Sequence, residues 1–597
     1  MRIKVDYEKE KITLDSRQIH YLEGYLNHFL EFAEEYTRIR SSIRKYFIVD
    51  GINYTDLIAH MFYQNDYYFS KAPGLITILN YLDLLNSLDE KSELKLEIND
   101  FYYKTFAKCA ELVGAKKKFK IRKINERYAK RRLDFLYNNP RTMKNFLRSR
   151  YFFRFILGKI RKILGKHNKE KADVLFLSNI RFENNRPENN SMFGSVIVEL
   201  NKRRISNKIL RYEELERLFN LKRFIKKFFL QKEAYLGDYY SLKHFLRCNK
   251  DFKLLRKRWN AVKNNPEFKR IFTYKGHNYY DLIKPKLGLT FNALSYIACD
   301  SKNIARAIMD KENYEVLVLD HEENLYGKGF MLNSRLDKKR KILALSHELI
   351  HLACVHIHIR NKEALNRNSV LWRPLPDVKC VWSEYSKKIL LESCNYPENI
   401  IRITGNPKFD FLFKGEYDAD KIIKKYGLSK TKKRVLCAPS PVNLGYFDEL
   451  NEVSKKAGNC EFIIKPHPGE SKIMQIRKRV KQFHNPNMKY VDNKDDIYPL
   501  IHISDYVVTD TSTVAFEGML ADKLVFTCWP AASPIPPFLK GNIQIKRIPD
   551  LVKELSRLRN KQTLDKIKAQ AKKITEYYHH KSPSASELIA KEVEKLL

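Results

Sequence analysis

SDYVVTDTSTVAFEGMLADKLVFT, residues 504–527, reads as strand, polar turn, helix and strand. Tyr506 to Val508 is a short apolar run rich in β-branched side chains. Thr509 to Thr513 is a cluster of hydroxyls around one carboxylate, and from Val514 the apolar residues recur at helical spacing before a second apolar run, KLVFT. Two strands joined by so short a helical crossover predict a parallel βαβ unit. The expected helix start near Val514 leaves unpaired N–H groups and a partial positive charge. Thr511, Ser512 and Thr513 are therefore candidates for holding a diphosphate, and Glu517, one turn along, for a ribose hydroxyl, with Asp510 a further donor-binding candidate beside them. The plain alternative is an ordinary Ser/Thr cap followed by a structural glutamate.

One unit upstream, EFIIKPHPGE (461–470) places Lys465, His467 and Glu470 where a strand ends. Open α/β sheets bind ligands at that carboxyl edge. His467, held between two prolines, can stabilise phosphate charge or exchange a proton near neutral pH. The same alternation continues outward through KCVWS, IIRITG, RVLCAP and KLVFTC, which predicts one α/β lobe over residues 376–548. ADVLFLS (172–178), EVLVLD (315–320) and KILALS (341–346) predict another over 166–375. Residues 1–165 read as a mainly helical, basic region. Residues 549–597 read as charged amphipathic helices that pack back across the lobes.

The 597 residues carry a formal charge of +42, yet 44% are hydrophobic and 12% aromatic, so the charge sits on a folded protein with real cores. Such an excess calls for an anionic partner: phosphorylated substrate, anionic lipid or nucleic acid. Nine cysteines with no C-x-x-C pair are expected to be reduced, MRIKVDYEKEK lacks the apolar core of a signal peptide, and no stretch approaches the apolar length of a spanning helix, so a cytoplasmic protein is expected. On a helix, the run from Arg141 to Lys166 groups Phe146, Phe153, Ile156, Ile160, Ile163 and Leu164 on one broad face. Lys144, Arg148, Arg154, Arg161, Lys162 and Lys166 fall largely elsewhere. That pattern suits an anionic membrane surface, and equally a helix packed on the next domain.

Taken in order, RITGNPKFD (402–410), IIKPHPGE and SDYVVTDTSTVAFEGMLADK resemble the T-G-N-P, K-x-H-P and S-D-x-x-x-T-D-x-S-S/T segments of one group of enzymes. These are the CDP-glycerol glycerophosphotransferases and surface-carbohydrate glycosyltransferases of GT-B fold, with a more distant likeness to the UDP-N-acetylglucosamine 2-epimerases. The resemblance implies two Rossmann-like lobes facing a cleft, with a nucleotide-activated donor on the second lobe and a polymeric or lipid-linked acceptor on the first. It adds Asn406 to the donor-binding candidates and aligns His347 with a cleft histidine. There the pattern departs, because Ser346 and Glu348 stand where the family has Gln and Gly. No cofactor or metal is expected, and the cell membrane's inner face is the expected site of any peripheral attachment.

Three other readings stay open. A non-hydrolysing nucleotide-sugar epimerase would use the same donor pocket without a polymeric acceptor. HELIH (347–351) matches the H-E-x-x-H of zinc hydrolases, but it leads into LACVHIHI, too β-branched for the helix those sites need. Nucleic-acid binding would use the basic, aromatic runs, but no finger, recognition helix or RNP-type strand accompanies them.

Overall fold

The computed structural model describes residues 2–6, 11–14, 34–63, 75–86, 94–114, 119–124, 139–164, 171–179, 192–212, 234–334, 337, 339–346, 349–350, 359, 362–414, 417–439, 444–467, 473–493, 495–510, 512–528, 537–558, 560–580 and 584–597. The chain forms two compact units, 1–381 with 386–402 and 587–597, and 382–385 with 403–586.

The first unit opens with a small sheet that helical periodicity does not reveal. Strands Arg2–Asp6 (β1), Lys11–Leu14 (β2), Leu94–Asn99 (β3) and Phe119–Ile124 (β4) lie in the order β2-β1-β3-β4. β3 runs parallel to both β1 and β4, and the helix Asp100–Leu112 (α1) makes the crossover. LKLEIN and FKIRKI alternate apolar and charged residues, but each run is too short to stand out in a lysine-rich background. Nor is the N-terminal region a separate body. Apolar side chains from Tyr36 to Tyr151 share one core with others from Leu175 to Ala344.

The helix Pro140–Ile163 (α2) starts where Asn139 accepts the N–H groups of Arg141 and Thr142 and proline occupies the first turn. Its inward stripe is Met143, Leu147, Tyr151, Arg154, Leu157 and Arg161. This corrects the expected basic face, because Arg154 and Arg161 point inward. Arg161 donates to Asp238 at 2.9 Å with both side chains fully buried, and Arg154 donates to the Tyr326 hydroxyl at 3.1 Å. The expected apolar face also divides. Phe146 packs against the core, whereas Ile156, Ile160, Ile163 and Leu164 are exposed. Gly158 allows the close approach, since a Cβ there would lie 2.1 Å from the Gly237 carbonyl oxygen.

Beyond α2 come Val174–Asn179 (β5), Asn207–Tyr212 (β6), Ala234–Tyr235 (β7), the helices Leu242–Val262 (α3) and Ser295–Met309 (α4), Val316–Leu319 (β8), Leu325–Ser334 (α5), Lys341–Leu345 (β9), Val378–Val381 (β10) and Ile401–Ile403 (β11). The sheet order is β11-β10-β9-β8-β5-β6-β7, parallel from β10 to β7. KCVWS and IIRITG, expected to open the second lobe at 376, therefore extend the first sheet. Leu343 pairs with Val378, and the boundary moves to residue 403. A strand's local pattern shows that it is buried but not which sheet receives it.

The second unit holds Lys433–Cys437 (β12), Cys460–Ile464 (β13), Met488–Tyr490 (β14), Tyr506–Thr509 (β15), the helix Val514–Leu520 (α6), Leu524–Cys528 (β16), Ile543–Ile545 (β17) and the helix Lys561–Tyr578 (α7). Its order is β14-β13-β12-β15-β16-β17, all parallel. Both sheets are thus doubly wound, reversing direction between β5 and β8 in one and between β12 and β15 in the other. The last helix, Ala585–Glu594 (α8), belongs to the first unit from Glu587 onward, where Ile589, Ala590 and Val593 cover its sheet. Among the described residues no helix is long and apolar enough to cross a membrane.

Arg161 and Lys162 are neighbours with opposite fates, buried and exposed. Arg161→Ala should lower stability by about 3–5 kcal/mol by stranding the Asp238 carboxylate, whereas Lys162→Ala should change it by less than about 0.5 kcal/mol. Denaturant titration of the two variants checks this contrast.

Candidate active site

β12 and β15 are neighbours whose crossovers leave in opposite directions, so a crevice opens at their carboxyl ends. Thr509, at the end of β15, is buried and donates to the Ala438 carbonyl at 2.7 Å, which closes the floor between the two strands. Past that floor, Asp510 and Ser512 are half-buried and Thr513 is exposed. The Ser512 hydroxyl accepts the Val514 N–H at 3.3 Å, the first N–H of α6, while Thr513 stands at the cap position without a side-chain cap bond. At seven residues, α6 is short for a strong dipole, and charge at this edge comes mainly from side chains.

Lys465 follows β13 on the other side of β12 and so stands at the same edge. It is buried, and its ammonium donates to the Asn493 carbonyl at 3.3 Å. Burial pushes its pKa below that of an ordinary lysine, against the pull of Asp496, Asp495 and Asp492. Asp496 answers in the opposite direction: burial raises its carboxyl, while backbone N–H groups, Lys465 and Lys408 hold it down. His467 is exposed at the end of the same strand. Glu470, Thr511, His347 and Glu348 lie outside the described residues.

Glu517 does not face open solvent as a ribose ligand would. It is buried and accepts from the Lys408 ammonium at 2.8 Å. That ammonium sits over the Tyr498 ring, 5.7 Å from its centre. The Tyr498 hydroxyl is buried without a partner among the described residues. Burial, with Glu517 and Asp496 nearby, keeps it protonated far above the usual tyrosine range. Sequence reasoning missed Lys408, Asp496 and Tyr498. Lys408 stood in the quoted T-G-N-P-K segment, but nothing local shows that it meets Glu517.

Asn406 builds the turn from which Lys408 projects. Its Oδ1 accepts the Lys408 N–H at 3.1 Å, its own N–H donates to His579 Nε2 at 3.2 Å, and its buried Nδ2 has no partner among the described residues. Gly405 has φ +81°, and a Cβ there would crowd the His579 ring at 3.3 Å. Asp410 accepts the N–H groups of Ala585 and Ser586 at 3.0 and 2.8 Å, tying the motif to the start of α8. Much of RITGNPKFD therefore works as a clamp on the C-terminal segment, with Lys408 as its charged tip.

The carboxyl edge of the first sheet carries a buried ionic knot. After β8, Glu322 accepts from the Tyr396 hydroxyl at 2.7 Å and pairs with Lys379 at 3.4 Å. Glu323 pairs with Arg373 at 3.0 Å and also with Lys328. His321 Nδ1 accepts the Glu323 N–H at 2.8 Å, which leaves the ring proton on Nε2 when the ring is neutral. β9 runs beside β8 and is followed by buried Ser346, immediately before His347.

With this geometry in place, residues 247–528 match the family model for CDP-glycerol:poly(glycerophosphate) glycerophosphotransferase. The resemblance read from the sequence holds over that segment. The chain is a transferase with two Rossmann-like lobes, of the kind that draws its group from a nucleotide-activated donor. An uncharacterized protein of Methanocaldococcus jannaschii is 24% identical over 409 residues, covering 64% of this chain and 67% of its own length. Among solved structures, UDP-GlcNAc 2-epimerase from Neisseria meningitidis bound to UDP-GlcNAc is 15% identical, covering 71% of this chain and 99% of that one, with a TM-score of 0.43. The wall teichoic acid polymerase TagF is 14% identical over 74% of this chain and 97% of that one, with a TM-score of 0.40.

His579 is buried and its pKa is pushed down to about 4, by burial first and His580 second. A histidine more acidic in the folded state than in the unfolded one stabilises above its unfolded pKa of about 6.5, and that contribution, about 3 kcal/mol, is lost as pH falls toward 4. The melting temperature should therefore fall between pH 7 and pH 4, and His579→Gln should flatten this part of the profile. Calorimetry across that range checks it.

Proposed function

We propose that the chain transfers a glycerol-phosphate or related polyol-phosphate group from a CDP-linked donor to a polymeric or lipid-linked acceptor at the inner face of the cell membrane. The observation that carries this reading is the pair of lysines, Lys465 and Lys408, brought from distant segments to the edge where the second sheet reverses. Their ammonium groups suit the charge of a diphosphate, and the Asn406 amide, without a partner among the described residues, offers a further donor.

In the reaction, an acceptor hydroxyl attacks the phosphorus bearing the glycerol. The bond from that phosphorus to the bridging oxygen breaks, and CMP departs with the electron pair. The hydroxyl proton passes to a base, for which His347 is the candidate, and His467 stabilises or protonates phosphate oxygens. Lys465 and Lys408 hold the leaving charge, assisted by the hydroxyls of Thr511, Ser512 and Thr513, while Asp510 accepts from a hydroxyl of the donor. Glu517 acts by aiming Lys408 rather than by binding sugar. Glu470 is a further candidate for binding the donor. The donor is a substrate, and no separate cofactor or metal enters this scheme.

The test follows CMP release from CDP-glycerol with an oligomeric glycerophosphate acceptor. Lys465→Ala and His467→Ala should each lower kcat/KM by about a hundredfold or more. Because burial lowers the Lys465 pKa, donor affinity should weaken on the alkaline side before an ordinary lysine would lose its proton. An isomerised nucleotide sugar with no polymer extension would replace this reading by the epimerase one.

A further inference from the structure

The helix α2 carries two apolar stripes on opposite sides, and the fold uses only one. Met143, Leu147, Tyr151 and Leu157 turn into the core. Phe152, Ile156, Ile160 and Ile163 recur three or four residues apart on the outer side and are exposed, Ile163 by 84%. The neighbouring α3 continues that surface with Leu242 and Leu246, one turn apart and exposed by 66% and 61%. The two helices are joined there: the Phe152 and Phe245 rings lie 6.4 Å apart, and the Arg148 guanidinium sits 5.8 Å from the Phe245 ring centre. Leu164 follows Ile163 and is exposed too, and the other large exposed apolar side chains among the described residues are scattered singly along the chain.

Cations surround this patch. Lys159, Lys162, Lys243 and Arg247 are exposed beside it, and α2 contains no acidic residue. Lys311 feels the crowding, for burial lowers its pKa and the charges of Lys162 and Lys159 lower it further.

We propose that the outer face of α2 and the first turns of α3 form a platform that docks on an anionic lipid bilayer. The apolar side chains enter the boundary between headgroups and acyl chains, and the flanking lysines and arginines meet lipid phosphates. The proposal supplies the attachment surface for the transferase reading above and rests on that reading only for its purpose. Charge decides the occupant. A second copy would bring the same cationic surface against its like, and nucleic acid would leave Ile163 and Leu246 facing phosphate. An anionic bilayer satisfies both the charge and the apolar stripe. The platform includes α3 residues that the run from Arg141 to Lys166 did not suggest, and excludes Arg154 and Arg161, which hold the fold.

The experiment uses the full chain with vesicles of phosphatidylglycerol and phosphatidylcholine, against vesicles of phosphatidylcholine alone. Wild type should sediment with the anionic vesicles only. Combined Ile156→Gln, Ile160→Gln, Ile163→Gln and Leu246→Gln should weaken partition at least about tenfold with an unchanged melting temperature. Combined Lys159→Gln, Lys162→Gln, Lys243→Gln and Arg247→Gln should cost roughly fivefold per charge. Unchanged binding by the apolar variant, or equal binding to neutral vesicles, would overturn the platform. So would concentration-dependent self-association that the apolar variant abolishes. CMP release with a soluble acceptor, measured without vesicles, separates the two readings. An inactive wild type that still binds anionic vesicles counts against the transferase reading alone.

Discussion

A parallel sheet that reverses its winding leaves two adjacent strands whose continuing chains must part, and the gap so formed cannot be filled by either crossover. In the second unit the gap lies between β12 and β15, and the described donor candidates take their positions from it. Thr509 seals the floor, Lys465 stands on one side, and Asp510 and Ser512 stand on the other. A charge placed at such an edge is partly withdrawn from water. Burial alone therefore lowers the Lys465 pKa and raises that of Asp496, and opposite charges nearby restrain both shifts. An incoming diphosphate would favour the charged form of the lysine in the same way.

The ion pair between Lys408 and Glu517 shows how two motifs become one site. Neither is informative alone: Glu517 lies on the second turn of a short helix, and Lys408 follows a tight turn. Brought to 2.8 Å, they anchor the T-G-N-P turn to α6 and present a cation above Tyr498. The same turn, through Asp410 and His579, clamps the start of the last helix. Parts of the motif that look like ligand-binding residues are thus engaged in holding the chain's final segment. That division of labour explains why the turn needs Gly405 in the left-handed region, next to an imidazole ring.

Charge in the first unit serves packing as often as binding. Glu322, Glu323, Lys379, Arg373 and Lys328 form a buried network after β8, and Arg161 and Asp238 bury a further pair under α2. Buried charges are costly unless they are matched or hydrogen-bonded. The basic residues are therefore not a uniform coat: some are matched by carboxylates inside, and unmatched ones gather on surfaces such as the outer side of α2.

Local chemistry determined much of this protein from its sequence alone. Strand length, turn hydroxyls and helix spacing are set within some twenty residues, so the two α/β lobes, the shared carboxyl edge of Lys465 and Asp510, and the resemblance to glycerophosphotransferases were all legible. Burial and partner choice were not, because they arise between distant segments. Lys408 and Glu517 are 109 residues apart, and Arg161 and Asp238 are 77 apart. Periodicity could place Arg154, Arg161 and Lys162 on a helix but not say which of them would meet a tyrosine, a carboxylate or water. It could identify β10 and β11 as strands but not the sheet they would join, since a parallel strand reads the same in either. Only the packed structure decided these, because each depends on which surface arrives opposite.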